Sequence, residues 1–212
     1  MGNQNWARAE RHALSDALIQ AGPDAPTLCQ GWTTGDLAAH LVVREHRPDS
    51  APGVMIPLLA GYTEKVRLGV RDATPYADLV ARFRAGPPAW SPFTLAAVDA
   101  AANTTEYFVH HEDVRRAGEG WEPRELPEAF EEQLWRRLGM ARLVLRRLPV
   151  EITLVDPAGR TRRVTKGGRL VRVHGRPSEL TLWALGRKDA ARVELTGEAE
   201  AVNVLSQGRW RL

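Results

Sequence analysis

Five polar residues recur along one stretch of the chain at steps of four, three, four and three: Asp99, Asn103, Glu106, His110 and Asp113. On an α-helix that spacing puts all five on one face. Glu106 and His110 stand one turn apart, so a carboxylate oxygen and an imidazole nitrogen can point at the same atom. Both donors suit zinc or a similar first-row ion. Two readings of the line stay open. A polar stripe is commonly the solvent face of an amphipathic helix. Against this, no Lys or Arg occurs from Ala85 to Val114, in a chain otherwise full of arginine. A solvent face normally mixes both signs, whereas acids, amide and imidazole without cations suit a site whose positive charge a metal supplies.

His40 is the third candidate ligand. It sits mid-helix between small and apolar neighbours, in Asp36-Leu37-Ala38-Ala39-His40-Leu41. A lone histidine there is often a satisfied core residue, but in helical bundles metal sites are built from inward side chains on facing helices. Two imidazoles and one carboxylate leave coordination positions open, as a catalytic site requires. Arg44, one turn beyond His40, is a candidate for holding an anionic substrate, with a surface salt bridge as the alternative. The remaining histidines are weaker candidates. His111 points away from His110, His46 lies near a helix end, His12 is expected at the surface, and His174 ends a strand. Cys29 reads as a small buried residue.

The elements that must position these groups are helices over the first two thirds. Trp6 to Leu18 shows helical spacing and stops at Gly22-Pro23. A second helix starts after Thr33, a plausible N-cap with Asp36 in the first turn, and runs to about Arg47. Val54 to Val70 and Pro75 to Ala85 read as shorter helices, Phe93 to Ala117 as a long one, and Pro127 to Leu148 as another. The pattern then changes. Val150, Ile152 and Leu154 alternate with polar residues, turns fall at Pro157-Ala158-Gly159 and Lys166-Gly167-Gly168, and Leu170 to Val173 follow, which reads as a short β-meander. A helix from Pro177 to Leu185, a strand from Ala191 to Thr196 and a short helix from Glu198 to Ser206 complete the chain. The expected organisation is a helical domain at 1–148 and a small α+β domain at 149–212.

Composition narrows the function classes. The 212 residues are 43% hydrophobic and 26% charged, the profile of an ordinary globular protein. No stretch approaches the roughly 20 apolar residues of a membrane span, and the N-terminus does not read as a signal peptide, so a cytoplasmic protein is expected. The single cysteine excludes an internal disulfide and a thiolate metal cluster within one chain. The net charge of +3 is concentrated as an arginine-rich excess after position 148. That region lacks an aromatic surface interleaved with its basic residues, which argues against nucleic acid as partner.

At Gly31-Trp32-Thr33 through Asp36-Leu37-Ala38-Ala39-His40-Leu41, followed by Glu106-Tyr107-Phe108-Val109-His110, the sequence resembles the mycothiol-dependent maleylpyruvate isomerase family of the DinB-like superfamily. The segment from Gly175 to Arg187 resembles, more loosely, the helix of the sterol-carrier-like C-terminal domain common in these actinobacterial proteins. The resemblance implies a DinB-like four-helix bundle followed by a smaller α+β sterol-carrier-like domain. It implies zinc held by His40, Glu106 and His110, with water completing the coordination. It further implies mycothiol as co-substrate, its thiol activated at the metal to attack an electrophilic small molecule in a transfer or an isomerisation. Asp99, Asn103 and Asp113 are then candidates for orienting the ligands. The stretch from Arg44-Glu45-His46-Arg47-Pro48 to the end of the loop looks particular to one branch, so the isomerase's own substrate is not carried over. A non-catalytic, metal-containing binding module is the alternative.

Overall fold

The computed structural model of the chain describes residues 4–50, 60–208 and 210. It divides into two compact units, Met1–Glu122 and Pro123–Leu212.

In the first unit α1 spans Trp6–Ala21, α2 Thr34–His46, α3 Ala60–Ala73, α4 Tyr76–Ala85 and α5 Ala96–Arg115. The helix expected from Val54 is present from Ala60; its first residues, 54–59, lie outside the described ones. The expected start at Phe93 is instead a 3-10 turn, Pro92–Thr94, and α5 begins after it. α1 packs along α5 and against α4, and α2 packs against α3 and α4. Leu14, Leu18, Leu37, Leu41, Leu79, Phe83 and Tyr107 form the core between them.

The start of α2 is firmly set. The Thr33 hydroxyl accepts from the Asp36 amide while the Asp36 carboxylate accepts from the Thr33 amide at 3.0 Å, a reciprocal capping box. The other oxygen of Asp36 accepts from Arg67 at 2.6 Å and Arg71 at 2.7 Å, tying α2 to α3. Deeper in the unit, Arg11 of α1 donates to both carboxylate oxygens of Glu45, to the Phe83 carbonyl and to the Tyr107 hydroxyl, and Tyr107 donates to Glu45. Every group in this buried knot has a partner, which is the condition under which an interior ion pair is tolerated.

The second unit has α6 at Glu128–Arg137, α7 at Ala141–Leu145, β1 at Glu151–Val155, β2 at Thr161–Arg163, β3 at Leu170–His174, α8 at Pro177–Ala184, β4 at Glu194–Gly197 and α9 at Ala199–Gln207. Two sequence expectations are corrected here. The strands do not form a meander: the sheet order is β2-β1-β3-β4, with β3 parallel to β1 and the other pairs antiparallel. After the β1–β2 hairpin the chain crosses back and adds β3 on the free side of β1, so that Ile152, Leu154, Val171 and Val173 face one core. Gly168, at φ 84°, allows this return; a Cβ there would stand 2.6 Å from the Pro149 carbonyl oxygen. The second correction concerns the last helix of the helical stretch. The expected helix 127–148 is broken by a 3-10 turn at Leu138–Met140, and its residues Trp135, Leu138 and Leu145 join the core of the sheet. The compact units therefore divide at 122–123, ahead of the change of pattern at 148.

Candidate metal centre

α2 and α5 carry the three predicted ligands, and the structure brings all three together. His40 Nε2 lies 3.2 Å from Glu106 Oε1 and His110 Nε2 lies 3.3 Å from the same oxygen. The three donor atoms fall within 4.8 Å of one another. Four ligands arranged tetrahedrally at zinc bond lengths stand about 3.4 Å apart, so these separations fit one ion without large movement. Two nitrogens and one oxygen are also the donor types such an ion takes. His110 is buried, while the side chains of His40 and Glu106 are 23% and 28% exposed, which leaves the cluster open on one side. The ring of His40 packs against Trp32 at 5.2 Å and edge-on to His110 at 5.3 Å.

The polar line on α5 is not a solvent face. Asp99, Asn103, His110 and Asp113 are buried, whereas Leu95, Ala96 and Ala97 at the start of the helix are exposed. Each member of the line has a task. Asp113 Oδ2 accepts from His110 Nδ1 at 2.9 Å, so the other ring nitrogen, Nε2, is the one turned to Glu106. Asn103 accepts from Arg44 at 2.8 Å and donates to Asp99 at 2.7 Å. Asp99 in turn lies 3.4 Å from Arg11.

The charges at the centre are strongly polarised. Burial would raise Glu106, but hydrogen bonds from His110 and His40 and the charge of Arg44 hold it well below the usual carboxylate range. Burial lowers His40, and the nearby charges of His110 and Arg44 add to this against the pull of Glu106. Burial also works against protonated His110, yet Asp113, Cys29 and Glu106 together hold it well above the ordinary histidine value. The two imidazoles are thus pushed in opposite directions around one ionised carboxylate.

Cys29 was expected as a plain buried residue and is placed otherwise. It is half-buried, and its thiol donates to Asp113 Oδ2 at 3.2 Å, 3.8 Å from His110 Nδ1. The Leu28 amide donates to the Asp113 carbonyl at 3.0 Å and pins this loop to α5. Nothing in the sequence pairs residues so far apart, so the arrangement had no local signal. The other histidines have partners of their own: His111 meets Glu10 of α1 at 3.1 Å, His46 bonds the Val42 carbonyl at 3.1 Å and, in the second unit, His174 bonds Thr196 at 2.8 Å. His12 is half-buried, where a surface position was expected.

Residues 6–89 match the family described as mycothiol maleylpyruvate isomerase N-terminal domain. The chain resembles the mycothiol maleylpyruvate isomerases in the sequence of that stretch and in its fold. The matched stretch holds His40 and Arg44 and ends before Glu106 and His110. Over nearly the whole length the isomerase-like fold is shared with the crystal structure of the mycothiol-dependent maleylpyruvate isomerase, at 16% identity and a TM-score of 0.52. A histidine-to-alanine mutant of the same name gives 15% identity and a TM-score of 0.55. Both alignments cover 91% of this chain and 90% of the other. No curated protein matches the chain.

Proposed function

We propose that this isomerase-like chain is a zinc-dependent thiol enzyme, a mycothiol-dependent S-transferase or isomerase acting on a small electrophile. The observation that carries the reading is the convergence of His40 Nε2 and His110 Nε2 on Glu106 Oε1 in a cluster open on one side. A structural zinc site is closed by four protein ligands, whereas a three-ligand site admits an exchangeable fourth. Zinc held there would lower the pKa of a bound thiol, so that a thiolate nucleophile is present at neutral pH. His40, Glu106 and His110 would hold the ion, and Asp113 keeps the donor nitrogen of His110 aimed at it. We further read the first unit as a DinB-like four-helix bundle, the second as sterol-carrier-like, and the cytoplasm as the compartment, where a small thiol stays reduced. No described helix is long and apolar enough to cross a membrane.

The test is thiol consumption by the zinc-loaded protein, given mycothiol and a panel of activated alkenes, epoxides and alkyl halides. Turnover by the wild type that falls at least about 100-fold in Glu106→Ala is expected, since losing a ligand costs no less than losing a partner that merely orients one. Zinc-loaded wild type that consumes no thiol with any member of the panel would leave a metal-containing binding module instead.

A further inference from the structure

We propose that Arg44 is a positioning residue for the carboxylate ligand, itself fixed by Asn103, and not an anchor for substrate. The inference rests on the metal reading above. A guanidinium offers five N–H groups in a rigid planar fork, and all three nitrogens of Arg44 are already engaged. Nε lies 3.1 Å from Glu106 Oε1, one terminal nitrogen donates to Asn103 Oδ1 at 2.8 Å and the other to the Ala102 carbonyl at 3.2 Å. The group also lies over the Phe93 ring, 5.5 Å from its centre. Arg44 therefore reaches from α2 to α5 and clamps residues 102, 103 and 106 along one stretch of that helix.

The clamp has its own support. Asn103 is fully buried, and its amide nitrogen donates to Asp99 at 2.7 Å, which leaves its oxygen facing Arg44. Asp99 lies beside Arg11, the centre of the buried knot with Glu45 and Tyr107. A continuous line of hydrogen bonds, closed by the ion pair of Arg44 with Glu106, thus runs from the core of the unit to the carboxylate oxygen on which both imidazoles converge. The side chain at the mouth of the centre is held as a ligand must be, in one rotamer.

Two effects of Arg44 on a bound dication have opposite signs, and this makes the role testable. As a neighbouring positive charge it repels the ion, so that removing it would tighten binding. As the clamp on Glu106 it prearranges a ligand, so that removing it would loosen binding. Zinc affinity is measured by competition with a chromophoric chelator for wild type, Arg44→Met, Arg44→Lys and Asn103→Ala. Each variant is checked for its thermal transition. Lysine keeps the charge but cannot reach three acceptors as a fork, and Asn103→Ala keeps Arg44 while removing its support. All three variants are expected to bind zinc about 10- to 100-fold more weakly, the usual cost of losing a partner that orients a ligand. The visible spectrum of the cobalt-loaded variants should change as Glu106 loses its fixed geometry. Binding by Arg44→Met as tight as or tighter than wild type overturns the proposal, as does Arg44→Lys with unchanged affinity and only a raised KM. A wild type that takes up no zinc overturns the metal reading itself, a result distinct from unchanged variants of a zinc-binding wild type. Should Arg44→Met not fold, Arg44→Lys and Asn103→Ala decide the question.

Discussion

Glu106 Oε1 is the atom on which His40, His110 and Arg44 converge, and the residues around it differ in how far the sequence disclosed them. The pair Glu106 and His110 was legible from one helical turn of spacing, and the lack of nearby cations correctly marked the polar line as something other than a solvent face. His40 needed the resemblance to become more than a core histidine. Cys29 was not legible, because its place beside Asp113 depends on a backbone bond between a loop and a distant helix. Arg44 was legible as a neighbour of the site but not in its attachment, since Asn103 and Ala102 come from another helix. Asp113 carries a direct prediction. Replacing it by asparagine keeps a hydrogen-bond acceptor beside His110 but removes the charge that supports its ring. Zinc affinity of Asp113→Asn, read by chelator competition, is expected to fall about 10-fold or more; an unchanged affinity would mean that Asp113 serves only the packing of α5.

The helices were legible where a cap or a stop is written locally. Thr33 and Asp36 announce the start of α2, and Gly22 closes α1. What failed were features set by distant partners: the parallel pairing of β3 with β1, and the break in the helix after Arg137. The hold on α2 has a measurable pH signature. Burial alone would raise the Asp36 carboxyl, but Arg67, the Thr33 amide and Arg71 bring it from the usual 3.8 down to about 2. A carboxylate depressed in the folded state contributes stability above its unfolded pKa and loses it as pH falls through the folded value. The contribution is on the order of 2 kcal/mol, present above about pH 4 and gone by about pH 2. Denaturant unfolding of Asp36→Ala should therefore show a deficit of that order at pH 7 that shrinks between pH 4 and pH 2. A deficit independent of pH over that range would contradict the ion-pair account and leave only the lost cap.

At the scale of the molecule, the change of sequence pattern at 148 and the division of contacts at 122–123 fall at different places. Periodicity identifies α6 as an amphipathic helix without saying which core its apolar face joins, and Trp135 joins the sheet. It follows that residues 1–122 should fold cooperatively as a fragment and keep zinc binding. A fragment ending at 148 should carry Trp135, Leu138 and Leu145 without their core and associate or bind a hydrophobic dye. Equal solubility of the two, with the longer one more stable, would restore the later boundary. Every role assigned around Glu106 depends on one bound ion. Metal analysis of the purified wild type beside His40→Ala, Glu106→Ala and His110→Ala tests it most directly. About one equivalent of zinc in the wild type, and a large loss in each variant, is the result predicted for three protein ligands around one ion. A wild type without divalent metal after zinc loading, or variants that retain it in full, would contradict it.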